Sequence, residues 1–230
     1  MKSIDVLQHT SAEYLGLIED HLEGRNIRFR YCRPFTGKVS LPKLESIQDG
    51  LILLGGGPWG SAGGRDVPTL KEELLLTQGC LEKKLPIIGI GLGAQILAVA
   101  AGGSSQPAGI EFSVGTAKRV SAGSLDGYLP AEYPLALYMR DFPVPPANAE
   151  ILAVDQKGRP ALWRVGECAL GFSGHPGLKV AMVEDLIMEF EEAPEDVAPR
   201  LEELRAVQRS IEDALVPLMA GAVKLMGWMA

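Results

Sequence analysis

Through the first hundred residues of this 230-residue chain, short apolar runs alternate with stretches of helical spacing. Apolar, β-rich runs near residues 3–8, 27–32, 50–54 and 86–90 predict strands. Between them, apolar residues recur at three- and four-residue steps near 12–24, 68–83 and 93–102 and predict helices. Such alternation implies a mostly parallel sheet with helices on both faces. Residues 105–170 are more β-rich and irregular, with runs at Gly115–Val120, Ala149–Val154, Ala161–Val165 and Cys168–Phe172. Gly158 lies in a Gln-Lys-Gly-Arg turn, so 150–165 reads as a hairpin. Val180 to Phe190 has helical spacing.

The tail differs. Glu189 to Pro199 is acidic, holds two prolines and reads as a linker. Leu201, Leu204, Ile211, Leu215 and Leu218 then mark an amphipathic helix. Ala214 to Ala230 is apolar nearly all round, with Lys224 its only charge. A membrane span needs about 20 apolar residues. This stretch is shorter and contains Pro217, Gly221 and Gly227, which argues against a span. So apolar a helix must be covered on more than one side. The expectation is therefore self-association, or a partner subunit docked on this C-terminal helix, with a fold-back across its own domain as the competing reading. The division expected is a domain over 1–190 and an extension over 191–230.

Composition narrows the class. A hydrophobic content of 47% suits a globular core, and a net charge of −7 with no basic stripe argues against a nucleic-acid partner. Three cysteines, Cys32, Cys80 and Cys168, lack metal or redox spacing and fit a reducing cytoplasm. The first residues lack the basic-then-apolar layout of a signal peptide. No motif calls for a metal or a cofactor.

The most informative stretch is Gly89-Ile-Gly-Leu-Gly-Ala-Gln95, which follows an apolar run and opens a helical pattern. A strand, a sharp glycine turn and a helix make an elbow. Enzymes place nucleophiles on such elbows, beside helix N-terminal amides. Late in the chain stands Ala169-Leu-Gly-Phe-Ser-Gly-His-Pro-Gly177, and Gly50 to Pro58 is an apolar strand running into a glycine turn. Backbone donors at such a turn can approach an oxyanion because no Cβ intervenes.

Together these segments resemble class I glutamine amidotransferases of the GMP synthase-like subgroup, over roughly residues 1–190. The family elbow is Gly-(Ile/Val)-Cys-x-Gly-x-Gln. Every fixed position is present except the cysteine, which is Gly91. The later segment resembles Gly-x-Gln-Phe-His-Pro-Glu, with His175 and Pro176 retained and Gly177 at the glutamate position. Tyr138-Met-Arg-Asp-Phe142 falls where the subgroup often has Trp-His-Gly-Asp-x-Phe, and only Asp141 and the aromatic character carry over. The resemblance implies an α/β, flavodoxin-like fold with a mixed sheet flanked by helices and a C-terminal helical extension. It implies oxyanion-like positions at Gly55, Gly56, Gly57 and Leu92, with Gln95 capping or lining the old pocket. Of the Cys-His-Glu triad only His175 remains.

Each position has a plainer reading. Gly91 could be an ordinary turn glycine, or part of a dinucleotide loop, although that fingerprint wants glycine where Ile96 stands. A base without nucleophile or orienting carboxylate has little to do, so His175 reads as a structural remnant. His9 and His21 read as surface residues. Cys80 is a weak candidate for a substitute nucleophile. Asp141, Arg140 and Glu111 face either the pocket or solvent, and Trp59 is bulky enough to fill a vacated glutamine site. The function expected is non-catalytic: a subunit, scaffold or small-molecule binder in a biosynthetic complex. The alternative is an enzyme that uses the remodelled pocket without a covalent intermediate. A titratable group with a perturbed pKa in the cleft favours the alternative; a filled pocket favours the first.

Overall fold

A computed structural model describes residues 1–37 and 41–229. The first strands are β1 (Ser3–Leu7), β2 (Arg28–Cys32), β3 (Leu51–Leu53) and β4 (Ile87–Ile90); α1 (Ile18–Glu23) joins β1 to β2, and α2 (Leu70–Glu82) lies between β3 and β4. After β4 come α3 (Leu92–Ala100), β5 (Ser104–Gln106), β6 (Glu111–Arg119), β7 (Glu132–Met139), β8 (Phe142–Val144), β9 (Glu150–Val154), β10 (Pro160–Val165) and β11 (Ala169–Phe172). Two helices, α4 (Val180–Glu189) and α5 (Val197–Leu225), end the chain. Among the described residues the main sheet has nine strands in the order β2-β1-β3-β4-β11-β10-β9-β6-β7. Pairings from β2 through β11 are parallel, and those from β11 to β7 are antiparallel. β5 and β8 form a separate two-stranded ribbon.

The central strands are apolar on both faces because both are covered. Leu51, Ile52 and Leu53 of β3 and all four residues of β4 are buried. Such near-continuous apolar runs are what a parallel sheet between helices requires. The hairpin expected at 150–165 is β9–β10, turning at Asp155–Arg159 with Gly158 at φ +77°.

Two expectations change. The first helix begins at Ile18, not near residue 12. Gly16 adopts φ +61°, and a Cβ there would overlap the Gly177 carbonyl, which accepts the Leu17 N–H at 3.0 Å. Residues 8–17 are thus a folded loop over the carboxyl end of β1. The second change concerns the tail. Helix α5 does not leave the domain; it packs on β6, β7, α1 and α4. Leu215, Leu218, Met219, Ala222, Val223, Met226 and Trp228 join the core cluster of β1, β3 and β7. The Trp228 indole N–H donates to the Asp49 carbonyl at 2.8 Å. Much of the tail's apolar surface is therefore covered by the chain itself, while Val216 and Met229 remain exposed. Among the described residues no helix is long and apolar enough to cross a membrane.

Candidate ligand site at the glycine elbow

Open parallel sheets place ligands at the carboxyl ends of their strands. Here the ends of β1, β3, β4 and β11 converge. Ile90 ends β4, Gly91 turns at φ +55° and ψ −113°, and Leu92 opens α3. The Gly91 N–H donates to the Phe172 carbonyl at 2.9 Å, while its carbonyl accepts the N–H groups of Ala94 and Gln95. This backbone is sharp and left-handed, as a nucleophile elbow demands. A Cβ built on Gly91 would meet only the Gly55 Cα, at 3.4 Å. The elbow is present and faces the glycine turn, but it carries no side chain.

The glycine turn is occupied. Glu13, from the loop after β1, is buried, and its carboxyl accepts the Gly57 N–H. A Cβ on Gly55 would overlap that carboxyl. The Leu92, Leu186 and Phe190 side chains close over Gly56 and Gly57. Leu92 is the first residue of α3, so its N–H is among those a helix leaves without an internal acceptor. Burial raises the Glu13 carboxyl to about 7, against the lowering effects of the Gly57 N–H and the His9 charge.

His9 is not a surface residue. Its side chain is 1% exposed, with Nε2 2.8 Å from the Glu73 carboxylate and Nδ1 3.1 Å from the Gly55 carbonyl. Both partners are acceptors, so both nitrogens carry protons and the ring is an imidazolium. Burial lowers its pKa, but the Glu73 charge and hydrogen bond, the Gly55 carbonyl and Glu13 outweigh burial and raise it overall. Glu73 also accepts from the Thr69 hydroxyl at 2.5 Å. A cavity of about 200 Å³ reaches His9 between Phe35, Trp59, Val67 and Thr69.

His175 is held as a neutral ring. Nε2 lies 2.8 Å from the Tyr14 carbonyl, to which it donates, and Nδ1 accepts the Gly177 N–H at 3.1 Å. Both nitrogens are committed to backbone, and burial lowers the pKa to about 4 against the raising effect of the Tyr14 carbonyl. Gly177 has no room for the missing glutamate: a Cβ there would stand 2.9 Å from the Ile18 Cγ1 and 3.0 Å from the Ile18 nitrogen. A glutamate at 177 would have to displace Ile18.

The remaining candidates separate. Gln95 does not line the pocket; it is a buried strut. Its amide donates to the Arg140 carbonyl at 2.6 Å, and its oxygen accepts from the Ser61 hydroxyl at 2.8 Å. Asp141, at φ +60°, accepts the N–H groups of Ser61, Ala62 and Ala108. Arg140 reaches the glycine turn, its Nε donating to the Pro58 carbonyl at 2.8 Å. Trp59 is half-buried beside that turn under the Arg65 guanidinium, 4.8 Å from its ring centroid. Glu111 pairs with Arg159 on β6. Cys80 is buried in α2, and burial pushes its thiol up to about 12, which disqualifies it as a nucleophile. His21 is half-buried on α1 beside Arg25. Among the described residues no three His, Cys, Asp or Glu side chains are grouped to hold a metal ion.

Glu13, Glu73 and Arg65 are absent from the sequence-based candidates. The available signal was position, since Gln8-His9…Glu13 directly follows a strand whose carboxyl end must border any site.

The fold and this elbow define a class. The glutamine amidotransferase class-I family model matches residues 19–159, more than half the chain, and the chain belongs to that family. A glutamine amidotransferase from Methylobacillus flagellatus is similar at TM-score 0.82 and 20% identity, covering 98% of this chain and 95% of that one. A glutamine amidotransferase from Thermotoga maritima is similar at TM-score 0.80 and 23% identity, covering 98% of each. A protein from Thermoplasma acidophilum, named as one subunit of a GMP synthase, is similar at TM-score 0.57 and 18% identity, covering 91% of this chain and 98% of that one. These likenesses establish the α/β fold with its mixed sheet. Curated protein sequences gave no significant match.

Proposed function

We propose that this protein is a catalytically degenerate member of the class I amidotransferase family, a non-catalytic subunit, scaffold or small-molecule binder in a biosynthetic complex. The observation that carries this reading is the pairing of an empty elbow with an occupied glycine turn. Gly91 offers no nucleophile, and the Gly57 N–H that would meet an oxyanion is bound by the chain's own Glu13. A carboxyl in that position opposes the negative charge that amide hydrolysis develops there. His175, with both nitrogens bonded to backbone, has none to offer a substrate. That one similar protein is named as part of a synthase supports a partner for this chain too.

The test is direct. Purified protein, alone and with proteins captured from its native host, is assayed for glutamate release from glutamine. No release above background is expected. Release that a thiol-directed glutamine analogue abolishes would overturn the reading.

One observation favours the alternative of an enzyme without a covalent intermediate. A buried carboxyl titrating at about 7 is poised as general acids and bases are. That reading requires Glu13 to leave the Gly57 N–H and meet a substrate.

A further inference from the structure

Two arginines beside the glycine turn share one carboxylate. Arg65 Nη1 lies 2.6 Å from Glu192 Oε2, and Arg140 Nη2 pairs with Glu192 Oε1. They come from separate segments, the loop before α2 and the turn after β7, and meet above the glycine turn. Both are held in place without Glu192. Arg140 is bonded to the Pro58 carbonyl, and its side chain is only 14% exposed. Arg65 stacks on Trp59. The Asp141 carboxylate, also nearby, bonds the Ser61, Ala62 and Ala108 N–H groups and not the arginines.

Glu192 sits on a strap. Residues 190–196 link α4 to α5 without regular structure. Phe190 packs against Gly57 and lies under Arg65, 6.0 Å from centroid to guanidinium. Glu189 anchors the near end by accepting from the Ser11 hydroxyl at 2.8 Å. Tyr138, in the same apolar cluster as Phe190, is 5% exposed, and among the described residues its hydroxyl has no hydrogen-bond partner. It lies near enough to Glu13 and Glu192 to feel both charges. A buried hydroxyl without a partner costs free energy unless something arrives to bond it.

We propose that Arg65, Arg140 and Tyr138 form a binding site for a small anionic ligand carrying a carboxylate or phosphate group, and that Glu192 on the 190–196 strap is its built-in competitor. Paired arginines present the forked donors that suit either group. The Glu192 carboxylate stands where the ligand's anionic group binds, and binding releases the strap from both arginines. The proposal deepens the small-molecule-binder branch of the reading above. It does not depend on whether glutamine is hydrolysed, so a failed titration leaves the glutaminase result standing and the reverse.

The test uses full-length wild type, Glu192→Gln, and Glu192→Gln combined with Arg65→Gln. Arg65 is chosen because Arg140 also holds the glycine turn. Inorganic phosphate and succinate are titrated separately by calorimetry at low ionic strength, with circular dichroism confirming that each variant folds. At least one anion is expected to bind Glu192→Gln with a Kd about fivefold below wild type, the scale of losing one partly exposed ion-pair competitor. The added Arg65→Gln change should abolish that gain. Which anion responds distinguishes a carboxylate ligand from a phosphate. Saturating wild type with that anion should also speed proteolytic cleavage within 190–196. Equal affinities of wild type and Glu192→Gln, a gain that survives Arg65→Gln, or cleavage unchanged at saturation would each overturn the proposal.

Discussion

The Glu13 carboxyl accepts the N–H of Gly57, a residue 44 positions away, and by doing so fills the glycine turn. The contact has a pH signature. The folded pKa is about 7 against an ordinary 4.5, so the folded state holds its proton longer than the unfolded chain. This contribution is complete below pH 4.5 and is lost as pH rises to about 7. Glu13→Gln keeps an oxygen for Gly57 but cannot ionise. Its stability should fall less than that of wild type between pH 5 and 7, by on the order of 2 kcal/mol. Urea melts of both proteins across that range check this, and parallel curves would refute it.

His175 works in the opposite direction. Its folded pKa is about 4, below the ordinary 6.5, so its contribution is present above 6.5 and lost as pH falls towards 4. Imidazole nitrogen NMR should show a neutral ring protonated at Nε2 down to about pH 5, the proton lying on the Tyr14 side. A ring that titrates near 6.5 would mean that Tyr14 and Gly177 do not hold it.

Gly91→Cys should fold. The new Cβ meets only the Gly55 Cα at 3.4 Å, and the cost is that of a side chain at φ +55°, about 1–2 kcal/mol. No glutaminase activity should appear, because Glu13 still holds Gly57 and His175 is still bound to backbone. Adding Gly177→Glu should lower the melting temperature further instead of restoring function, since the new side chain presses on Ile18. Hydrolysis by the double variant above that of Gly91→Cys would show that α1 yields more easily than its packing suggests.

Trp228→Ala should cost about 3–5 kcal/mol by opening a cavity under Gly50 and freeing the Asp49 carbonyl. Removing residues 214–229 should unfold the protein or lower its melting temperature steeply, with no change in the mass of whatever remains soluble. A stable truncated protein whose oligomer dissociates would restore the subunit-interface reading of the tail.

What the sequence makes legible is what is local. The elbow shows in residues 89–95 because strand, glycine and helix adjoin there. Likewise the tail helix shows in the spacing of Leu201 to Leu218. His9 cannot be placed in this way: its surroundings come from Glu73 on α2 and Gly55 after β3, and no spacing joins those segments. The same holds for Glu192, an acidic residue in a linker until Arg65 and Arg140 are brought to it from two other parts of the chain. The surface that covers the tail is hidden for a related reason. Periodicity shows that an apolar face must be covered, but not which surface covers it.

The fold-back of α5 also bears on when this protein can fold. Its contacts join the two ends of the chain: Trp228 bonds to the Asp49 carbonyl, 179 positions earlier, and Met226 lies in the same cluster as Ile4 and Val6. A chain emerging from the ribosome thus completes β1 to β4 long before the helix that seals one face of the sheet exists. Until α5 emerges the apolar face that it will cover stays open, a state prone to association. Closure of the core then waits on a contact of high sequence separation, which folds slowly. The last turns of the helix therefore act as a latch on folding, and chaperone demand should track how long residues 211–228 take to arrive.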